Sequence, residues 1–124
     1  MRVAIVGSRD WDDWSALDKT LLELDKTKDV IISGGARGVD SMAVHLAKKY
    51  GFQVVVHPAD WDRNGRSAGY IRNEDIVLDS DIILAFWDGE SRGTLHTITL
   101  AEKYGKPVRV FTPATPAVEE VLPV

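Results

Sequence analysis

Short apolar runs alternate with amphipathic stretches along nearly the whole chain. The runs fall at 3–6, 30–33, 53–57, 81–86 and 108–111 and are dominated by Val, Ile and Leu. Runs of that length, rich in β-branched residues and bounded by Gly, Pro, Asp or Ser, read as strands. Between them the apolar residues recur every three or four positions. Trp14, Leu17, Leu21 and Leu24 share one face of a helix predicted over 13–26, and Met42, Ala43, Leu46, Ala47 and Tyr50 share one over 39–50. Further helices are predicted over 67–78 and 94–104. Gly51 closes the second helix, and Gly105 with Pro107 behind it closes the fourth. Asp12 and Asp13 suit the N-cap of the first. Strict alternation, with strands apolar on both faces, gives a parallel sheet covered on both sides. The expected fold is a three-layer α/β sandwich of about five parallel strands with helices on both faces, in a single domain over 1–124. The tail 113–124 opens with Pro113-Ala114-Thr115-Pro116, which breaks regular structure, and a short docking helix is expected over 117–122.

In an open parallel sheet, ligands bind outside the carboxyl ends of the strands, where the winding direction reverses. The segments just after the strands form that edge: Gly7-Ser8-Arg9-Asp10-Trp11, Gly34-Gly35-Ala36-Arg37, Pro58-Ala59-Asp60-Trp61, and Trp87-Asp88-Gly89 through Arg92-Gly93-Thr94. The second leads through Gly38-Val39-Asp40 into a helix. Glycines let the backbone take positive φ and expose N–H groups, and a helix N-terminus behind them suits a phosphate. Arg37 adds a guanidinium fork. The same residues also read as a plain strand-to-helix turn with a surface arginine. Asp40 has two readings, holding the turn by accepting from local N–H groups or bonding a ribose hydroxyl.

Charge sorts by edge. Six of the eight arginines (Arg9, Arg37, Arg63, Arg66, Arg72, Arg92) lie in or just behind these segments, whereas all seven lysines sit on helix bodies or on turns leading into strands. Arginine suits bidentate recognition of phosphate, while lysine suffices as a solvated charge. Trp11, Trp61 and Trp87 follow strands too, as lids over the core or as stacking platforms. Their number beside six arginines favours a base stacked on Trp61 or Trp87. Phosphate is expected on Gly34, Gly35 and Gly93-Thr94, clamped by Arg9 and Arg37 with Arg72 and Arg92 as further cations. Gly7, Ser8, Ala36, Asp40, Pro58, Asp60, Asn73 and Gly89 complete the expected binding set.

Composition narrows the classes. There is no cysteine, so neither a disulfide framework nor a thiolate zinc site is available. His45, His57 and His96 lack partners at ligand spacing, so no metal is expected and no cofactor is required. No serine stands in a nucleophile elbow. No apolar run approaches the roughly 20 residues of a membrane span, and Met1 to Val6 reads directly as a strand, so a cytoplasmic location is expected. The formal net charge of −4 argues against nucleic acid as a partner.

Taken in order, Gly7-Ser8-Arg9, Ser33-Gly34-Gly35-Ala36-Arg37-Gly38-Val39-Asp40, Pro58-Ala59-Asp60-Trp61, Ala68-Gly69-Tyr70-Ile71-Arg72-Asn73 and Arg92-Gly93-Thr94 resemble the SLOG superfamily. That group includes the DprA and Lonely Guy proteins, and the likeness is to its YspA/YpsA-related branch. The resemblance implies a Rossmann-like domain whose glycine-rich loops hold a nucleotide or nucleotide-derived ligand. Lonely Guy phosphoribohydrolases carry a glutamate three residues beyond a glycine-threonine pair, and the corresponding residue here is Thr97. Threonine cannot act as a carboxylate nucleophile or as a general base near neutral pH. A binding module is therefore the leading expectation. An N-glycosidic-bond hydrolase or transferase using Asp60, Glu74 or Asp88 is the alternative, with single-stranded nucleic-acid binding behind it. The third helix carries Ile71, Val77 and Leu78 on more than one face, which points to a homodimer or dimer of dimers, or to packing against the tail.

Overall fold

A computed structural model describes residues 1–113 of the protein, and every apolar run becomes a strand of one sheet. The strands are β1 (Arg2–Gly7), β2 (Val30–Ser33), β3 (Gln53–Val56), β4 (Ile82–Phe86) and β5 (Val108–Phe111). All neighbours pair in parallel, in the order β3-β2-β1-β4-β5. The helices are α1 (Trp14–Leu22), α2 (Val39–Lys49), α3 (Trp61–Asn64), α4 (Ala68–Leu78) and α5 (Arg92–Lys103). Winding runs outward from β1 to β3, then restarts on the other side of β1 at β4. With crossovers of constant hand, that reversal sends the helices before and after it to opposite faces.

The two cores follow. On one face Leu17 and Leu21 of α1 and Val39, Ala43, Leu46 and Ala47 of α2 bury against Val3, Ile5, Ile31, Leu84 and Phe86. On the other, Ile76 and Val77 of α4 and Ile98, Leu100 and Ala101 of α5 bury against Ala4, Val6, Ile32, Ile83, Ala85, Val108 and Val110. Odd and even residues of β1 thus serve opposite layers, as the strand period of two requires. Both α2 and α5 end in Schellman motifs. Gly51 (φ 86°) and Gly105 (φ 67°) take the left-handed position, with Phe52 N–H donating to the Ala47 carbonyl at 2.9 Å and Lys106 N–H to that of Ala101 at 2.8 Å.

Element ends differ from expectation where short polar side chains compete for backbone donors. The first helix stops at Leu22, four residues early. Asp25 accepts from the Thr27 N–H at 2.9 Å and hydroxyl at 2.6 Å, and Asp29 accepts from the Asp25 N–H at 2.9 Å, so a turn takes what would have been the last helical turn. Asp13, not Asp12, caps α1, accepting from Ser15 N–H at 3.1 Å. Trp14, expected on the core face, is 45% exposed and stands edge-on to His45. The sequence reading missed α3, which Asp60 caps through the Arg63 N–H at 3.1 Å. Arg92 opens α5 two residues early because Ser91 is its cap. The third long helix, α4, buries Ala68, Asn73, Ile76 and Val77 while exposing Tyr70, Ile71 and Leu78, so it is apolar on more than one face. The docking helix expected over 117–122 lies outside the described residues. Among those described, no helix is long and apolar enough to cross a membrane.

One ion-pair cluster ties β1 to the end of α4. Arg2 donates from Nε to Asp79 Oδ1 at 2.9 Å and from Nη2 to Oδ2 at 3.0 Å, and His57 Nε2 lies 2.7 Å from Asp79 Oδ2. The Arg2 bonds, then that of His57, hold the Asp79 carboxyl below its ordinary 3.8. A carboxyl depressed on folding stabilises the native state above its unfolded pKa and loses that contribution as pH falls through the folded one. Asp79→Asn should therefore lower the unfolding free energy from urea titration at neutral pH by about 1 kcal/mol, the upper range for pairs in partial contact with water. The gap from the native protein should close well below pH 3.8.

Candidate functional site

β1 and β4 stay paired through Gly7 and Phe86, the loops that follow them diverge at the point where the winding reverses, and a cavity of about 280 Å³ opens there. Local sequence explains why the chain can pass. A Cβ on Gly7 would overlap the Phe86 carbonyl oxygen and stand 2.7 Å from Val39 Cγ2. Gly38 takes φ 76°, and a Cβ there would lie 2.5 Å from the carbonyl oxygens of Ser8 and Arg9. These glycines let β1, β4 and the start of α2 close on one another.

Four segments wall the cavity. Val6, Gly7 and Arg9 come from β1 and its loop, Ala36 and Asp40 from the glycine turn and α2, Arg72, Asn73 and Ile76 from α4, and Ser91, Arg92, Gly93, Thr94 and Thr97 from the start of α5. The positive end of the α5 dipole therefore opens on it. Asp40 is the carboxylate in this wall, 6% exposed, with Oδ2 accepting from the Ala36 N–H at 3.3 Å. Burial pushes its pKa up to about 6, against the pull of the Ala36 N–H, the Arg72 charge and the N–H groups of Gly34 and Gly7. The Gly35 N–H donates to Ser33 Oγ at 3.2 Å. The N–H groups expected to cradle phosphate at Gly34 and Gly35 thus serve acceptors of the protein itself. For Asp40 the turn-holding reading is the one realised.

Arg72 and Asn73 join three segments. Arg72 Nη1 donates to the Gly34 carbonyl at 2.9 Å and Nε to Asn73 Oδ1 at 3.0 Å, while Asn73 Nδ2 donates to the Gly93 carbonyl at 3.3 Å. A Cβ on Gly34 would stand 2.8 Å from Arg72 Nη1, so that glycine makes room for a guanidinium rather than for a ligand. His96 Nδ1 lies 3.2 Å from Asn73 Nδ2, and burial lowers its pKa. Ser91 caps α5, accepting from Thr94 N–H at 3.3 Å. Asp88 accepts from the N–H groups of Glu90 and Ser91 at 2.8 Å each, which hold its carboxyl below the usual range, and its own N–H donates to the buried Ser8 hydroxyl at 3.0 Å.

Of the expected binding set, Gly7, Arg9, Ala36, Asp40, Arg72, Asn73, Arg92, Gly93 and Thr94 line the cavity. Ser8, Gly34, Gly35, Arg37, Pro58, Asp60, Trp61, Trp87 and Gly89 stand outside its lining. The tryptophans do not converge. Trp11 is 6% exposed in the core, edge-on to Phe86, Trp87 donates its indole N–H to the Ser91 carbonyl at 3.1 Å, and Trp61 is 53% exposed on α3. His57, at the end of the third apolar run, turns to Asp79. The three carboxylates considered for catalysis are also elsewhere: Asp60 caps α3, Asp88 binds its own loop, and Glu74 accepts from the Tyr104 hydroxyl at 3.1 Å. Ser91 and Thr97 were missed as wall residues. Their signals were a Ser-x-x-Thr cap pattern and a spacing of four from Gly93, which puts Thr97 on the same helix face. Among the described residues no group of His, Asp and Glu is placed to hold a metal ion. A larger groove, about 530 Å³, lies by the ends of α1 and α2 among Leu21, Leu22, Leu24, Tyr50 and Phe52, far from the arginine edge.

Fold and site together define a doubly wound α/β domain with a polar, arginine-lined cavity at its switch point. The chain belongs to the YspA, cpYpsA-related SLOG family, whose model matches residues 1–64. It is 41% identical to the Gene 61 protein of Mycobacterium phage D29, over 89% of this chain and 95% of that protein. In fold it is similar to DNA processing protein A from Helicobacter pylori, solved in a study of its single-stranded DNA binding mode, with TM-score 0.74 and 24% identity over 89% of this chain. It is similar also to DNA processing protein A (DprA) from Streptococcus pneumoniae, with TM-score 0.76 and 21% identity over 88% of this chain. The chain spans 64% and 49% of those two structures. They correct one expectation. Nucleic acid was set aside as a partner on net charge, yet a protein sharing this fold binds single-stranded DNA.

The buried Asp40 makes a distinct pH prediction. An unfolded chain releases its proton near 3.8 and the folded one near 6, so between these values the native state holds the extra proton. Native stability from this group falls as pH rises through that window, by up to about 3 kcal/mol. Asp40→Asn, which keeps an acceptor for Ala36, should lack the loss. Its urea midpoint should gain on that of the native protein between about pH 4 and pH 7.

Proposed function

We propose that this protein binds a nucleotide or nucleotide-derived ligand, with phosphate at the cavity between β1, β4 and the start of α5. One observation carries the reading: Arg9, Arg72 and Arg92, contributed by three separate segments, line a single cavity at the switch point of a doubly wound sheet. The bonds of Arg72 to Gly34 and Asn73 leave other guanidinium N–H groups for an anion. The α5 N-terminus adds its partial positive charge on the same side. Binding is favoured over bond cleavage because Asp60, Glu74 and Asp88 lie away from the cavity and Thr97 lies in its wall. Calorimetry against nucleoside mono- and dinucleotides should find a ligand with Kd below about 1 mM, and failure to find one overturns the reading. Arg9 and Arg92 are exposed. Arg9→Ala and Arg92→Ala should each weaken binding about tenfold, by loss of a charge-assisted hydrogen bond, without lowering the unfolding temperature.

A second reading extends the phosphate site to a single strand of nucleic acid, and Trp61 is the observation that favours it. Trp61 is 53% exposed on α3, and the exposed Arg63 and Arg66 follow it in the chain. An exposed indole with arginines is the pattern on which unpaired bases stack. The fold shared with the single-stranded DNA-binding protein of Helicobacter pylori supports it. A thymidine oligonucleotide should then shift in a gel at physiological salt with micromolar protein. Trp61→Ala should weaken the complex at least fivefold, since stacking is worth about 1–3 kcal/mol per base. An unshifted oligonucleotide discards this reading.

A further inference from the structure

We infer that the cavity takes the sugar-phosphate part of its ligand and leaves the base outside, so that affinity does not depend on which base is attached. The inference rests on the nucleotide reading above and sharpens it. Its first support is what the wall lacks. A base is held by an aromatic or flat apolar face and by donors and acceptors matched to its edge. No tryptophan, tyrosine or phenylalanine lines this cavity. The two indoles nearest in sequence to its rim are committed elsewhere, Trp11 to the core against Phe86 and Trp87 to the Ser91 carbonyl.

The second support is what the wall presents. Asp40, Asn73, Thr94 and Thr97 are polar and at most 7% exposed, and each reaches the cavity surface. Thr97 donates its hydroxyl hydrogen to the Gly93 carbonyl at 3.2 Å, which leaves oxygen lone pairs for an incoming donor. The Asp40 carboxylate, when ionised, has about four lone-pair sites, so beyond the turn-holding bonds from the Ala36, Gly34 and Gly7 N–H groups it keeps room for one further donor. Acceptors of this kind match O–H donors, which a sugar carries on several carbons. The arginines match phosphate. Hydroxyl acceptors and phosphate cations in one wall describe a phosphorylated sugar.

Size agrees. At about 280 Å³ the cavity falls just short of the roughly 300 Å³ at which pockets begin to hold drug-sized ligands, so it suits a part of a nucleotide. A base projecting outward meets solvent on the side of Arg72, where a Cβ on Gly69 would lie 3.6 Å from Trp61 Cη2 and 3.8 Å from Arg72 Nη2, and an indole face accepts any base alike.

The unmodified protein tests this by calorimetry against AMP, GMP, CMP, UMP, ribose 5-phosphate, adenosine and inorganic phosphate. The expected result is that the four nucleotides and ribose 5-phosphate bind within about tenfold of one another, while adenosine and inorganic phosphate each bind more than about tenfold weaker. One nucleotide exceeding the others by more than that margin overturns the inference and leaves the phosphate site standing. So does ribose 5-phosphate failing where a nucleotide binds, or inorganic phosphate matching ribose 5-phosphate. If none of the nucleotides binds, the nucleotide reading itself falls and this inference with it.

Discussion

The carboxylate of Asp40 gathers the carboxyl edge of the sheet around one buried charge. It accepts from the Ala36 N–H, and the N–H groups of Gly34 and Gly7 stabilise it as well. Those donors come from the end of β1 and from the loop after β2, so a single side chain at the start of α2 fixes two strand ends together. A buried carboxylate without such donors would be expensive. With them it becomes a fixed post against which Arg72 is set, its Nη1 on the Gly34 carbonyl and its charge pulling the Asp40 pKa down. Asn73 then carries the arrangement to Gly93 and the first turn of α5. The cavity is what remains between these three anchored segments.

This arrangement explains why glycine is needed where it is. Glycine-rich strand-to-helix turns suggest a phosphate approaching the backbone. Here the approaching groups belong to the protein. Gly34 makes room for the Arg72 guanidinium, Gly7 for the Phe86 carbonyl and Val39, and Gly38 for the carbonyls of Ser8 and Arg9. The glycines shape the cavity by letting its walls close, while the arginines and the α5 terminus put positive charge on it.

How much of this was legible depends on the range of the interaction involved. The five strands, their parallel pairing and the loops that share the carboxyl edge follow from period and alternation, which are local or topological, and β2 and β5 fall on the residues expected. The glycine closures at Gly51 and Gly105 were equally local. The end of α1 was misjudged because Asp25 and Asp29 redirect donors through side-chain bonds that no hydrophobic pattern registers. The site was legible as a set of loops and arginines but not as a set of contacts. Trp11, Trp61 and Trp87 occupy equivalent places after strands, yet one is core, one is a brace and one faces solvent. Which of these an indole becomes is decided by its neighbours from other strands and helices, and sequence adjacency carries none of that information.

The same distinction of range explains why net charge is a poor ground for setting nucleic acid aside. A total of −4 sums both edges and all helix bodies of the chain. In physiological salt a charge is felt over about 8 Å, so a ligand at one edge responds to the groups at that edge. The cavity wall holds Arg9, Arg72 and Arg92 against the single carboxylate of Asp40, whose own pKa is raised to about 6 and whose charge is already shared with backbone N–H groups. In the wall itself three guanidinium groups face one carboxylate even though the chain is acidic. Arginine sorted to one edge of the sheet is therefore the better measure of what can approach it, and that sorting was visible in the sequence when the sum of charges was not informative.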